Sequence, residues 1–293
     1  MNLRAGMCVV ALFCAAFPAA AAEKMKVVAT FSILGDIAGR IGGDAVEVKT
    51  LVGHDGDAHV YQATSADARA VAEARIVIAN GLAFDDWALR LLKASGSKAA
   101  IVVASVGVTP VAGGHEHADP HAWQNVGNVL AYVGNIEHAL ATADPAHAAI
   151  YKMNADAYRA ELQILDAEIR TSLAAIPPAQ RNAVTTHGSF AYFAAAYGVT
   201  FTSPLGTSTD EQASAKSLAA LITAIRRGGI KALFLENAAD PRLMRQVAHE
   251  TGVALGGTLY ADALSTKDGP APTYVGLMRH NLKLLTGAMA HGF

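Results

Sequence analysis

The sequence predicts an α/β protein in which two lobes, each with a four-stranded parallel sheet, are joined by one long rigid helix. Three observations support this: short β-branched runs alternate with helical patterns, the alternation occurs twice, and one long helical stretch separates the two sets. A chain of 293 residues is long enough for one large or two medium domains. We therefore expect an N-terminal lobe over residues 23–144, a linking helix over 145–176 and a C-terminal lobe over 177–293.

Residues 1–22 have the pattern of a cleavable secretory signal peptide. Arg4 is followed by an apolar run and by a string of alanines that ends before Glu23. A membrane anchor is the less favoured interpretation, because the apolar run is short for a bilayer-spanning helix. Cys8 and Cys14 both lie in this segment, so a processed protein would hold no thiolate and no disulfide. We expect a soluble product exported to the periplasm.

The alternating pattern assigns strands and helices to each lobe in turn. In the first lobe we predict strands over residues 26–31, 46–52, 76–80 and 101–104, with helices over 66–74 and 84–94. In the second lobe we predict strands over residues 182–186, 199–203, 232–236 and 252–260, with helices over 214–227 and 241–250. The architecture repeats without any visible repeat of the sequence.

The linking helix is predicted from its ends and from its apolar spacing. Asp144 is a suitable N-cap, Pro145 suits the first helical position, and Pro177 closes the far end. Apolar residues at spacings of three to five predict one buried face, which comprises Ile150, Met153, Ala157, Leu162, Leu165, Ile169, Leu173 and Ile176. A helix of this length, without internal proline or glycine, would form a rigid connection.

The composition argues against nucleic-acid binding and is that of a folded protein. The formal net charge is -2, so the chain offers no polycationic surface and we expect no nucleic-acid partner. Hydrophobic residues make up 52% and charged residues 16%, which is typical of a folded protein with a sizeable core.

Four candidate metal ligands follow predicted strands, two in each lobe. Ligands of α/β proteins bind outside the carboxyl ends of the strands, and in a two-lobed protein those ends face each other across a cleft. Three imidazoles and one carboxylate meet this condition: His59, His121, His187 and Asp262. Each residue alone is weak support, but together they predict one coherent metal site.

Five short motifs carry a resemblance to a known family. They read DAHVY at 57–61, DPHAW at 119–123, THGSF at 186–190, STDE at 208–211 and YADALS at 260–265. In this order they resemble the zinc and manganese solute-binding proteins of ABC importers, the cluster A-I or ZnuA/TroA-like group. In its proportions the chain resembles the AztC-type zinc proteins most. It departs from the usual pattern beside the ligands, at Gln62, Ala63, Gln124 and Asn125.

The resemblance implies a function and a set of partners. A member of this family would hold one metal ion between its lobes through His59, His121, His187 and Asp262, and would deliver it to an ABC permease in the inner membrane. The AztC-type likeness implies a periplasmic zinc metallochaperone as a further partner. We expect a monomer that is a carrier and not an enzyme.

Ligand chemistry favours Zn²⁺ as the cargo. Manganese members of the family tend to have a carboxylate at the position of His187, and Mn²⁺ favours oxygen-rich shells of higher coordination number. Three imidazoles and one carboxylate suit tetrahedral Zn²⁺. A manganese- or iron-binding protein of the same family is the alternative.

Two other classes of function, a zinc-dependent hydrolase and a surface adhesin, fit the sequence less well. A zinc-dependent hydrolase would keep one coordination position open for water, whereas Asp262 supplies a fourth protein ligand. A surface adhesin would need an anchor, and neither Cys8 nor Cys14 has the small preceding residue of a lipid-attachment site.

A short glycine-led loop before His121 carries two more histidines. We expect His115 and His117 to act as an auxiliary capture arm that binds zinc transiently; a solvated linker is the alternative.

Overall fold

The computed structural model describes residues 23–113, 118–228, 230 and 233–291. The predicted signal segment 1–22 and the loop residues His115 and His117 lie outside these described residues. Two four-stranded parallel sheets confirm the predicted fold class. Across the described ranges, no helix is long and apolar enough to cross a membrane.

The elements alternate as the sequence predicts. The chain begins with β1 (Met25–Phe31), α1 (Ser32–Gly42), β2 (Val46–Val52), α2 (Ser65–Glu73), β3 (Ile76–Ala79), α3 (Asp86–Ser95), β4 (Ala100–Val103) and α4 (Val126–Ala143). It continues with α5 (Ala148–Ala174), β5 (Asn182–Val184), α6 (Ala191–Tyr197), β6 (Thr200–Thr202), α7 (Ala215–Gly228), β7 (Leu233–Glu236), α8 (Arg242–Thr251), β8 (Leu255–Leu259) and α9 (Tyr274–His291).

The two sheets have the same topology. Their strand orders are β2-β1-β3-β4 and β6-β5-β7-β8, and every pairing is parallel. Val27 of β1 is paired on one side with Val48 and on the other with Ile76, so β1 lies inside its sheet, buried among β-branched residues. Because all strands of a sheet run in one direction, the loops that follow them leave from one edge, where the candidate ligands lie.

The long helix α5 begins later than the sequence predicts. Residues Pro145–His147 form a 3-10 turn, and the α-helix starts at Ala148. Asp144 makes no side-chain capping bond to a backbone amide. Its carboxylate instead accepts hydrogen bonds from Nδ1 of His147, at 2.6 Å, and from the hydroxyl of Tyr151, at 2.8 Å. The predicted single uninterrupted helix over 145–176 was therefore wrong at its first turn.

The buried face of α5 is also shifted in its first half. Ile150, Met153 and Ala157 are exposed, contrary to the prediction. The buried residues keep a strict spacing of three or four: Tyr151, Ala155, Tyr158, Leu162, Leu165, Ile169 and Leu173. The predicted set contained a five-residue step from Ala157 to Leu162. The residues predicted before this step lie on the exposed face of the helix, and those from Leu162 onward lie on the buried face.

One hydrophobic core runs through both sheets. Its buried residues include Val27 of the first sheet, Ala183 and Leu259 of the second, and Leu165 of α5. Smaller clusters lie on the outer side of each sheet. Because the sheets share this core through the helices between them, relative movement of the two would disrupt close-packed side chains.

Candidate metal centre

The four predicted ligands come together at the edge where the strands end. His59 lies in the loop after β2, His121 precedes a 3-10 turn before α4, His187 follows β5 and Asp262 follows β8. One nitrogen or oxygen atom from each lies within 4.8 Å of the others. The side chains of His121 and His187 are fully buried, Asp262 is 1% exposed, and His59 is 7% exposed.

The Asp262 carboxylate is close to all three imidazoles. Its oxygens lie 3.1 Å from Nε2 of His187, 3.4 Å from Nε2 of His59 and 3.5 Å from Nε2 of His121. The Nε2 atoms of His59 and His121 are 3.3 Å apart. All three imidazoles therefore present the same ring atom to one small central space.

Asp119 orients the ring of His121. One oxygen of its buried carboxylate lies 2.9 Å from Nδ1 of His121 and accepts the backbone N–H of His121 at 2.8 Å. A carboxylate accepts hydrogen bonds, so the ring proton belongs on Nδ1 and the lone pair of Nε2 points to the centre.

Glu236 does the same for His187. At the end of β7, one of its oxygens contacts Nδ1 of His187, and the other accepts the backbone N–H groups of Thr186 and His187 at 2.8 and 3.2 Å. No local motif of the sequence singles out Glu236 for this role. Its signal was the position of Glu236 at the carboxyl end of a buried strand, on the same edge as the ligands.

Several buried polar atoms of the centre have no hydrogen-bond partner among the residues that the structure describes. Within the described part of the chain, Nε2 of His187 and both oxygens of Asp262 are buried without a well-aligned hydrogen bond. Inward-facing lone pairs on neutral imidazoles repel a carboxylate, and unpaired buried polar atoms are costly. A cation among them would remove both problems, so the donor set fits a metal ion.

The charges of the metal-free centre shift two pKa values in opposite directions. Burial lowers the pKa of His187, but the carboxylates of Glu236 and then Asp262 outweigh it and raise this pKa well above 6.5. Burial raises the pKa of Asp262, but the imidazoles of His187 and His121 outweigh it and lower this pKa well below 3.8. Asp262 is therefore ionised, and a proton on His187 takes the place of positive charge that a metal would supply.

Phe84 forms an aromatic wall beside the centre. Its ring centroid lies 5.0 Å from that of His59 and 5.9 Å from that of His121. The two residues before it, Leu82 and Ala83, have left-handed φ angles of 53° and 62°. Such angles cost on the order of 1 kcal/mol each for side chains of this kind, so packing in this region outweighs local strain.

The loop that carries His59 is bonded to residues in the second half of the chain. Asp57 accepts the backbone N–H of His59 at 2.9 Å through one oxygen and the hydroxyl of Thr209 at 2.6 Å through the other. The backbone N–H of Asp55 donates to the carbonyl of Leu264 at 2.9 Å. His59 is the least buried of the four residues, and these bonds hold its loop over the centre.

Comparison with known proteins gives a family match over nearly the whole described chain. Residues 27–288 match the family described as zinc-uptake complex component A, periplasmic. The iron-binding protein YfeA of Yersinia pestis is 35% identical over 279 residues, which cover 94% of this chain and 88% of that protein. The manganese-binding lipoprotein MntA of Bacillus subtilis is 33% identical over 276 residues, which cover 91% of this chain and 90% of that protein.

Solved structures agree with the family match. The Mn-bound periplasmic metal binding protein of Candidatus Liberibacter asiaticus is 32% identical with a TM-score of 0.82, covering 91% of this chain and 100% of that one. The periplasmic zinc binding protein TroA of Treponema pallidum is 26% identical with a TM-score of 0.88, covering 92% of this chain and 100% of that one.

Proposed function

The chain belongs to the family of periplasmic zinc-uptake components, and from this premise we propose that its cargo is Zn²⁺, held by His59, His121, His187 and Asp262. Proteins of this family are metal-binding solute-binding components of ABC importers and not enzymes. The membership therefore implies a permease in the membrane as the partner that receives the metal.

The donor set is the observation that supports zinc, and the spacing of its atoms is compatible with a tetrahedral shell. In a tetrahedral site with Zn–N and Zn–O distances of about 2.0 to 2.1 Å, neighbouring ligand atoms are about 3.3 Å apart. Four contacts between inward-facing atoms are 3.1, 3.3, 3.4 and 3.5 Å, three of them to one or the other oxygen of Asp262, and one atom from each of the four residues lies within 4.8 Å of the others. Three imidazoles and one carboxylate are also a typical zinc shell, and Zn²⁺ lies above Mn²⁺ and Fe²⁺ in general affinity for nitrogen ligands.

Manganese or iron is the alternative cargo, because relatives are named for each of these metals. Mn²⁺ prefers oxygen ligands and more than four of them. Within the described residues, the two further carboxylates near the centre, Asp119 and Glu236, are already bonded to Nδ1 of the imidazoles. They orient ligands rather than enlarge the shell, which favours zinc.

We also propose that His115 and His117 form an auxiliary arm that captures zinc. Residues at its base are paired, because Ala112 and Ala118 form an antiparallel bridge and the backbone N–H of Asp119 donates to the carbonyl of Val111 at 2.9 Å. Zinc captured on this arm would lie a few residues from His121. We propose that the arm accepts zinc from solution or from a periplasmic metallochaperone, as in an AztC-type protein, and that the carrier acts as a monomer.

Single alanine variants test the ligand assignment. We expect His187→Ala to abolish stoichiometric zinc retention in a dialysed sample, because the centre loses a fully buried nitrogen donor and Glu236 loses its partner. His249→Ala is the matched control, since His249 is an exposed histidine of α8. Parental zinc content and affinity in the His187 variant would refute the assignment.

A further inference from the structure

Gln124 directly follows the DPHAW motif at 119–123 and is a buried amide that the proposed ligand set does not use. Its side chain is fully buried. Its Nε2 donates a hydrogen bond to the carbonyl of Ala261 at 2.9 Å. Within the described ranges its Oε1 has no hydrogen-bond partner. A buried amide whose oxygen accepts no hydrogen bond is unfavourable, so the bond that its nitrogen does make requires an explanation.

The carbonyl that Gln124 binds belongs to the residue before a ligand. Ala261 directly precedes Asp262, and its carbonyl also accepts the indole N–H of Trp123 at 2.8 Å. Both donors lie in the first half of the chain, and the acceptor lies in the last strand-end segment of the second half. The two bonds therefore fix the backbone at Asp262 against the lobe that carries His121.

A single short turn connects these contacts to His121. The 3-10 turn Ala122–Gln124 follows His121 directly, and the backbone N–H of Gln124 donates to the carbonyl of His121 at 3.1 Å. Asp119 fixes the ring of His121 on the other side. The turn thus holds one ligand directly and holds a second, Asp262, through the carbonyl of Ala261.

We propose that Gln124 is a positioning residue that sets the place of the Asp262 carboxylate relative to the imidazole of His121, and thereby slows the release of the metal. The proposal rests on the ligand set of the proposed function. Trp123 supplies one bond to Ala261 from a ring that also packs in the core. The amide of Gln124 supplies the second, and a carbonyl that accepts two hydrogen bonds resists rotation more than one that accepts a single bond.

Gln124→Leu tests the proposal, because leucine fills a similar volume and removes the donor. Gln163→Leu is the matched control, since Gln163 is an exposed residue of α5. We would measure metal dissociation into excess chelator and the visible absorption of the Co²⁺-loaded protein, which reports coordination geometry. Co²⁺ is the probe because it accepts the same nitrogen and oxygen donors whatever the native cargo. Melting of the metal-free protein is recorded in parallel.

We expect Gln124→Leu to release metal about 10- to 100-fold faster, by analogy with the loss of affinity that follows removal of a partner that orients a metal ligand, and to change the Co²⁺ spectrum. The control should match the parent in both. A lower melting temperature with parental dissociation and a parental spectrum would overturn the proposal, because it would show a structural role only. If Gln124→Leu does not fold, Gln124→Met is judged by the same two measurements. A parent that prefers Mn²⁺ to Zn²⁺ would refute the proposed cargo, while the Co²⁺ comparison would still decide the role of Gln124.

Discussion

At the scale of single residues, each buried imidazole of the centre has its own carboxylate. Asp119 contacts Nδ1 of His121, and Glu236 contacts Nδ1 of His187. These contacts fix which ring nitrogen faces the metal, and they hold the rings before any metal arrives. Preorganisation of this kind reduces the entropy lost on binding.

Glu236→Gln is expected to weaken zinc binding by about 10- to 100-fold. The amide keeps the shape and still accepts the backbone N–H groups of Thr186 and His187, but it removes the charge that polarises the His187 ring. Chelator competition measures the affinity. Glu250→Gln, at an exposed position of α8, is the control and should bind as the parent does. Equal affinities in the two variants would show that Glu236 has no role in binding.

The affinity for zinc is expected to rise with pH well beyond neutrality. The pKa of His187 lies well above 6.5 in the metal-free protein, so a proton competes with the metal for Nε2 over a wide range. The same ion pairing stabilises the metal-free fold below the unfolded pKa of about 6.5, and this stabilisation is lost as the pH rises through the raised pKa. Chelator competition from about pH 5.5 to 8.5 measures the slope, and a plateau starting near pH 6.5 would contradict a raised pKa of His187.

The clustering of the four candidate ligands could be predicted because each sits in a short local motif in a loop that follows a strand. Glu236 could not, because it reaches His187 only when β7 lies beside β5 in the sheet. Gln124 was visible only as a departure from the family pattern, and its contact with Ala261 depends on how the two lobes pack. Contacts between distant segments are set by tertiary structure, which local spacing does not encode.

At the scale of elements, the strands were predicted to within a few residues. The interior strands β1 and β3 are buried on both faces and read as β-branched runs. The first half of α5 was assigned to the wrong face. Ile150 and Met153 are apolar but exposed, and Tyr151 and Tyr158 are buried. A search for aliphatic residues overlooks tyrosines that bury their rings, and apolar residues also occur singly on surfaces.

The observed face of α5 gives a stability test. Leu165→Ala is expected to lower the free energy of unfolding by about 2 to 5 kcal/mol, because Leu165 is fully buried in the core shared by the two sheets. Met153→Ala, on the exposed side of the same helix, should change it by less than about 0.5 kcal/mol. Denaturant unfolding measures both. A loss for Met153→Ala as large as that for Leu165→Ala would place Met153 on the buried face, where the aliphatic spacing alone predicts it.

At the scale of the whole molecule, the shared core and the bonds across the centre resist separation of the sheets. The last segment is bonded to the first helix at two points: the backbone N–H of Leu264 donates to the Ser32 hydroxyl, and that of Tyr274 to the Asp36 carboxylate, both at 2.9 Å. The predicted division into two lobes joined by residues 145–176 therefore describes where the two sheets lie, and it stays a prediction for the rest of the chain. The C-terminal segment after β8 is bonded to the first lobe as well as to the second.

Metal loading is expected to leave the overall shape nearly unchanged. A long helix without internal proline or glycine does not hinge, and separation of the sheets would open the common core. Release would then require movement of loops such as the one that carries His59. Small-angle scattering of metal-free and zinc-loaded protein should give superimposable curves. A change that requires a large rotation of one lobe would contradict this view of the core.

Competition between Zn²⁺ and Mn²⁺ for the purified, metal-free protein tests the central claim most directly. Equal concentrations of both ions, each buffered above its own dissociation constant, are offered at neutral pH, and the metal retained after gel filtration is measured. A shell of His59, His121, His187 and Asp262 predicts one zinc per chain and almost no manganese. One manganese per chain in the presence of zinc would contradict it.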